Sequence, residues 1–212
     1  MSIRIAIADD HHLIMEGVQN MLRYSAEMEV VGGYADAESL LKGLEKTCPD
    51  VLLLDIGLPD RQGDELAEII KMNYPEIKIL VLTNQDNYFY INSMLQQGVD
   101  GYVLKNIQKW ELLSAIKSVY TGKKYFDTII FDRIEEEERE RRRIEHNASK
   151  LSRRENEILR LLAQDLSIGD IARQLYLSKR TIEHHKESIF AKLGVKSTLA
   201  LVMKAKELGL MA

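Results

Sequence analysis

The stretch Val51-Leu-Leu-Leu-Asp55-Ile-Gly-Leu-Pro59 places one carboxylate directly after a short run of apolar residues. Such a run, bounded by turn residues, is typical of a strand that is buried on both faces of a parallel sheet. Similar runs occur at 3–8, 29–34, 77–83 and 101–104, and amphipathic helical patterns separate them. This alternation predicts an α/β domain whose five-stranded, parallel, doubly wound sheet is covered by helices on both faces.

Polar side chains stand where four of these predicted strands end. Asp9 and Asp10 follow the first strand, Asp55 ends the third, Thr83 ends the fourth and Lys105 follows the fifth. Because ligands of open α/β sheets bind beyond the carboxyl ends of the strands, we expect these side chains to form one pocket. Each residue alone would be an ordinary cap or loop residue, and only their combination indicates a site.

The chemistry of this pocket points to a metal and a phosphoryl group. Three neighbouring carboxylates repel one another unless a divalent cation lies among them, and a site with few oxygen ligands suits Mg²⁺. A carboxylate can attack phosphorus to give an aspartyl phosphate. Lys105 can then neutralise charge on the transferring oxygens, and the Thr83 hydroxyl can donate a hydrogen bond to one of them.

The charges are distributed unevenly along the chain, whose formal net charge is −4. Residues 1–132 carry 12 Lys and Arg against 20 Asp and Glu, whereas residues 147–212 carry 12 against 7. A basic tail after an acidic body predicts a second domain that meets nucleic acid. Between them, 133–146 places glutamates three and four residues before arginines, which predicts a solvated helical connector.

The sequence pattern of the basic tail predicts helices in every segment from residue 150 onward. Ser152 and Glu155 have the spacing of a helix capping box, and a short turn through Tyr176 and Leu177 separates two further helical segments. Two short helices joined by such a turn make a helix-turn-helix, with a recognition helix over about 179–193. In helical projection its apolar arc contains Ile182, Ile189, Phe190 and Leu193.

The opposite face of this helix carries the candidates for contact with base edges, and other residues of the helix and of the turn after it are better placed for phosphates. Candidates for base edges are Arg180, Glu183, His184, Glu187 and Ser188. Candidates for phosphates are Lys179, Thr181, His185, Lys186, Lys192 and Lys196. Without a partner, the same face would be an ordinary solvated helix surface.

Composition excludes two protein classes. A single cysteine, Cys48, excludes an internal disulfide framework. The longest apolar runs are strand-sized, far below the roughly 20 residues of a membrane-spanning helix. The first residues lack the basic and apolar regions of a secretory leader, so we expect a cytoplasmic protein without membrane contact.

Several motifs together resemble one bacterial family. They are Ala8-Asp-Asp-His, the Val51–Pro59 stretch with Gly63, Ile79-Leu-Val-Leu-Thr83 and Gly101-Tyr-Val-Leu-Lys105. In the tail they are Leu151-Ser-Arg-Arg-Glu155, Asp170-Ile-Ala-Arg-Gln-Leu175 and Leu177-Ser-Lys-Arg-Thr181. Residues 1–122 resemble the flavodoxin-like receiver domain of two-component response regulators, and 150–208 resemble the LuxR-type helix-turn-helix. The chain is thus similar to the NarL/FixJ family, with a receiver domain at 1–122, a charged helical linker at 123–149 and a DNA-binding domain at 150–212.

The resemblance implies a role for each pocket residue. Asp55 is the implied phospho-acceptor and Lys105 the partner of the phosphoryl group. Asp10 and Asp55 would ligate Mg²⁺ together with the backbone carbonyl of Gly57, whereas Asp9 would act through metal-bound water. Thr83 and Tyr102 would form a switch pair, in which the hydroxyl moves toward the phosphate and the ring turns inward.

The resemblance also implies the partners: a sensor histidine kinase as phosphoryl donor, double-stranded DNA, and a second copy in an active homodimer. It implies a transcription factor and not an enzyme, beyond catalysis of its own phosphotransfer and dephosphorylation. Two alternatives stay open at this point. One is an Mg²⁺-dependent phosphatase-like enzyme, and the other is a receiver that signals by protein contact alone.

One departure, Asp165 where the family usually has glycine, requires aspartate to tolerate a turn conformation.

Overall fold

The structure, a computed structural model, describes residues 2–210 and divides into two compact units, one ending at Glu135 and one beginning at Glu136. The first unit contains the predicted alternation of strands and helices. The strands are β1 (Ile3–Ala8), β2 (Met28–Tyr34), β3 (Val51–Leu54), β4 (Lys78–Thr83), β5 (Gly101–Leu104) and β6 (Tyr125–Phe126). All of them are parallel, and they form one sheet in the order β2-β1-β3-β4-β5-β6.

The sixth strand corrects the prediction of five. Strand β6 has only two residues, too few for an alternating pattern, and it pairs Tyr125 with Gly101 and Phe126 with Tyr102. The pairing depends on the glycine, since a Cβ at Gly101 would lie 2.7 Å from the carbonyl oxygen of Tyr125. Strand β5 is therefore an internal strand of the sheet, and β6 takes the edge.

Alternate residues of each strand pack against helices on opposite faces. Ile5, Ile7 and Leu53 face a core with α1 (His12–Arg23) and α5 (Lys109–Tyr120). Ala6, Leu52 and Val81 face the other helices. Those helices are α2 (Ala37–Thr47), α3 (Gly63–Asn73) and α4 (Tyr88–Gln96). Because both faces are covered, the open crevice lies at the carboxyl ends of the strands, where the predicted pocket residues stand.

A long helix, α6 (Thr128–Ala148), begins in the first unit and ends in the second. Its Ile130 is fully buried in the same core as α2, α3 and α4. The compact first unit thus extends 13 residues beyond the predicted boundary at 122, because β6 and the first turns of α6 complete its core. Further along, Glu138 and Arg142 form one of the predicted ion pairs at 3.2 Å, and Arg141 pairs with Glu145.

The second unit is helical, as predicted. After the end of α6 it contains α7 (Arg153–Ala163), α8 (Ile168–Gln174), α9 (Lys179–Leu193) and α10 (Thr198–Glu207). A serine side chain caps the first turn of each of these four helices by accepting a backbone N–H. Asp165 has a φ of 59°, which confirms that this aspartate adopts the left-handed turn conformation. No helix within residues 2–210 is long and apolar enough to cross a membrane.

Candidate functional site

The acidic pocket forms where β1 and β3 end. Asp9, Asp10, His11 and Asp55 each offer one ligand atom, and these four atoms lie within 4.8 Å of one another. Asp9 and Asp55 are buried, whereas Asp10 and His11 are exposed. The pocket therefore has a desolvated floor of two carboxylates and a solvent-facing rim.

Lys105 joins the two buried carboxylates. Its Nζ lies 2.6 Å from Oδ2 of Asp55 and 2.8 Å from Oδ2 of Asp9, and its side chain is only 3% exposed. Burial alone would lower the pKa of Lys105, but the hydrogen bond to Asp55 and the charges of Asp55 and Asp9 outweigh it and raise that pKa. A permanent positive charge thus lies against the proposed acceptor oxygen.

The oxygen atoms present fit a hard divalent cation. The Oδ2 atom of Asp9 is buried and, within the described part of the chain, receives no hydrogen bond of good geometry despite the nearby Lys105. Buried carboxylates with spare lone pairs are the donors that Mg²⁺ prefers. The N–H of Gly57 donates to Oδ1 of Asp55 at 3.2 Å, which fixes the loop at that residue. The role of the Gly57 carbonyl as a metal ligand stays a prediction.

Thr83 ends β4, and Tyr102 lies within the neighbouring strand β5, where it pairs with Val81. Thr83 is 2% exposed, and its hydroxyl accepts a weak hydrogen bond from the Gln85 N–H at 3.4 Å. The ring of Tyr102 is fully buried, and its hydroxyl donates to the Gln85 carbonyl at 2.8 Å. Burial, and then the charge of Asp55, raise the pKa of this phenol. The ring of Tyr102 is thus buried in this structure, and its role as a switch residue stays a prediction.

Sequence reasoning missed two residues of this region. His11 stands at the rim, with Nδ1 2.7 Å from Oδ1 of Asp10 and 3.2 Å from Oδ1 of Asp9. Its position directly after Asp9 and Asp10 could have indicated that it lies at the pocket. The hydrogen bonds of Gln85 with Thr83 and Tyr102 come from its backbone, so its side-chain type carried no signal for them.

The candidate DNA surface is the outer face of α9. The predicted apolar arc is confirmed, since Ile182, Ile189 and Leu193 are fully buried and Phe190 packs beside them. Exposed candidates are Lys179, Arg180, Glu183, His184, Glu187 and Lys196, and partly exposed ones are Thr181, His185 and Lys186. Their contacts with DNA stay predictions.

Two other candidates have partners inside the unit. Ser188 donates to Oε1 of Glu155 at 2.7 Å, and Nζ of Lys192 lies 2.7 and 2.8 Å from the two oxygens of the same carboxylate. Glu155 is 4% exposed, and it also accepts the N–H of Ser152. Ser188 and Lys192 thus hold α9 to α7 through Glu155, and their contacts with DNA stay predictions.

The same contacts determine the charge of Glu155. Burial alone would raise its pKa, but hydrogen bonds from Lys192, the Ser152 backbone and Ser188 lower the pKa to about 2. The carboxylate is therefore ionised at neutral pH. The capping box predicted from sequence is present, and it is also the anchor of the recognition helix.

Two protein families match the two units. Residues 5–117 match the family described as "Response regulator receiver domain", and residues 149–205 match "Bacterial regulatory proteins, luxR family". Among curated proteins, the oxygen regulatory protein NreC of Staphylococcus aureus is 36% identical over 206 residues, which cover 94% of this chain and 95% of NreC.

Solved structures show the same combination of domains. One is a structure of the RcsB response regulator of Salmonella typhimurium, described as showing conformational dynamism for DNA interaction. It matches with a TM-score of 0.74 and 29% identity, and the match covers 97% of this chain and 98% of the RcsB chain. A structure of two RcsB dimers bound to two parallel DNAs matches with a TM-score of 0.61 and 30% identity, over the same shares of both chains.

Proposed function

Because the chain belongs to the response regulators that combine a receiver domain with a LuxR-type helix-turn-helix domain, we propose that Asp55 accepts a phosphoryl group and thereby controls DNA binding. The donor would be the phosphohistidine of a sensor kinase. The similarity to NreC and RcsB favours this regulator over the phosphatase-like enzyme and over a receiver that acts by protein contact alone.

The transfer step uses the ionised carboxylate of Asp55. One of its oxygens forms a bond to phosphorus, the bond from phosphorus to the kinase nitrogen breaks, and the imidazole leaves with the electron pair. Lys105, now within 2.6 Å of the acceptor oxygen, then pairs with a phosphoryl oxygen. The Thr83 hydroxyl, which holds only a weak hydrogen bond at 3.4 Å, is free to donate to another oxygen.

The metal requirement follows from the charges in the pocket. Asp10, Asp55 and the Gly57 carbonyl would hold Mg²⁺, with Asp9 acting through water, and the bound ion would neutralise charge on the phosphoryl oxygens. The protein would act as an enzyme only on its own phosphoryl group. Asp9, which follows β1, supplies a second carboxylate beside Lys105, whose ammonium group thus lies between Asp9 and Asp55.

The output is DNA binding by α9. RcsB has been seen as dimers on DNA, and we propose that this chain also binds DNA as a homodimer once phosphorylated. A two-fold dimer places two recognition helices one DNA turn apart, about 34 Å. We place the protein in the cytoplasm, where both the kinase domain and the chromosome are accessible.

The contact of Lys105 with Asp55 and Asp9 carries this proposal, because it brings a cation to a carboxylate in the pocket. The test is incubation of the full chain with a small phosphoryl donor and Mg²⁺, followed by intact-mass measurement. Wild type should gain one phosphoryl group, and Asp55→Asn should gain none. Asp132→Asn, the same chemical change at an exposed helical position, should be labelled like wild type. Equal labelling of Asp55→Asn would refute the assignment.

A further inference from the structure

Asp127 connects strand β5 to the first turn of α6. Its Oδ2 accepts a hydrogen bond from the N–H of Leu104 at 2.8 Å, and its Oδ1 accepts one from the N–H of Ile130 at 2.9 Å. The second bond is an ordinary helix cap, whereas the first reaches the residue that immediately precedes Lys105. One carboxylate thus serves a strand of the switch region and a helix at the same time.

Other contacts tie the same helix to the same region. The backbone N–H of Asp127 donates to the carbonyl of Tyr102 at 3.3 Å. Ile130 is fully buried in the core cluster that also contains Tyr102 and Leu104. Arg133 lies 3.7 Å from Asp86. Asp86 directly follows Gln85, whose carbonyl accepts a hydrogen bond from the Tyr102 hydroxyl. The start of α6 therefore contacts both the strand and the loop that carry the switch residues.

We propose that Asp127 is a positioning residue that couples the phosphorylation state of the receiver to α6. The inference rests on the proposed function, since it concerns how that state is read. A movement of β5 or of the Thr83–Asp86 loop changes the hydrogen bonds and packing at the start of α6. Helix α6 runs from Thr128 to Ala148 and is the segment of chain that joins the two units, so its start is the place where the receiver state can be passed on.

The carboxylate chemistry provides a selective variant. Asparagine caps helices as well as aspartate does, so Asp127→Asn keeps an acceptor for Ile130. Its second atom is then an N–H donor facing the N–H of Leu104, and the strand bond is lost. Asp127→Ser also keeps the cap, but its side chain is too short to reach Leu104. Asp36→Asn is the matched control, because Asp36 caps α2 through the N–H of Ser39.

The experiment compares the full-length protein and these three variants in two states, untreated and treated with a small phosphoryl donor and Mg²⁺. Three quantities are measured: the labelled fraction by intact mass, the thermal midpoint, and the affinity for a DNA site selected by wild type. The decisive number is the factor by which labelling raises DNA affinity. Coupling between two sites typically changes affinity by about 5- to 150-fold.

We expect Asp127→Asn and Asp127→Ser to be labelled like wild type, with similar thermal midpoints, but with the affinity gain reduced to about twofold or less. Asp36→Asn should keep the full gain. An undiminished gain in both Asp127 variants would overturn the proposal, and so would a loss of labelling, which would place Asp127 in the phosphotransfer step. If wild type itself shows no labelling or no gain, the proposed function fails instead, and the two failures are thus distinguishable.

Discussion

Replacing Glu155 by Gln should destabilise the second unit strongly at neutral pH and much less in acid. The side chain is 4% exposed and is ionised against Lys192, Ser188 and the Ser152 backbone. Gln has the shape of the protonated acid, so the loss equals the free energy that ionisation contributes to folding. With the pKa lowered from 4.5 to about 2, this amounts to roughly 3 kcal/mol at pH 7.

The pH dependence follows from the direction of this shift. A carboxyl group whose pKa is lower in the folded state stabilises the fold above its unfolded pKa, and the stabilisation is lost as the pH falls toward the folded value. The contribution of Glu155 should therefore be complete above about pH 5 and fall to roughly 1 kcal/mol at pH 3. Wild type should lose stability across this range more steeply than Glu155→Gln.

The assay is urea unfolding of a fragment that spans residues 136–212, followed by circular dichroism at several pH values. This fragment contains a complete buried core of its own. If the variant is unfolded without urea, a stabilising osmolyte restores a measurable transition. Glu157→Gln on the same helix is the control, because its ion pair with Arg154 is half-exposed and should contribute less than about 1 kcal/mol. Equal losses for the two variants, or a loss independent of pH, would show that ionised Glu155 does not stabilise the second unit.

Three further predictions concern other parts of the molecule. Gly101→Ala should lower the stability of the first unit by about 1–3 kcal/mol in calorimetry, since the new Cβ would lie 2.7 Å from the Tyr125 carbonyl; an unchanged transition would contradict the close approach of β6. Asp165→Gly should stabilise the second unit by about 1 kcal/mol in urea unfolding, because the residue has a positive φ; a loss of stability would show that the aspartate side chain matters more than its backbone strain. Arg180→Ala should alter base preference in a DNA selection by about 1–3 kcal/mol, whereas Lys179→Ala should weaken all sequences alike and reduce the salt dependence.

The sequence was sufficient for the elements that repeat. Apolar runs separated by helical patterns predicted β1 to β5 and both domain types, and the polar residues at strand ends predicted the pocket that the structure brings together. These signals are strong because each depends on many residues or on a spacing fixed by the parallel sheet.

The features that were missed depend on single long-range contacts. Strand β6 has two residues and no periodicity of its own, so its pairing with Gly101 leaves no pattern. From the sequence, Lys192 is a candidate for a phosphate contact, and that contact stays a prediction. Helical projection could not include the buried carboxylate of Glu155, which belongs to another helix and attracts the ammonium group of Lys192. The assignment of residues 123–149 to a charged linker likewise left out that Ile130 belongs to the core of the first unit.

The most direct test of the account is the affinity of the full-length protein for a DNA site with two half-sites, measured before and after treatment with a phosphoryl donor and Mg²⁺. We expect treatment to raise the affinity of wild type for this site, to raise its affinity for a single half-site much less, and to leave the affinity of Asp55→Asn unchanged. Equal affinities for treated and untreated wild type, or an equal rise in Asp55→Asn, would contradict the claim that the state of Asp55 controls DNA binding.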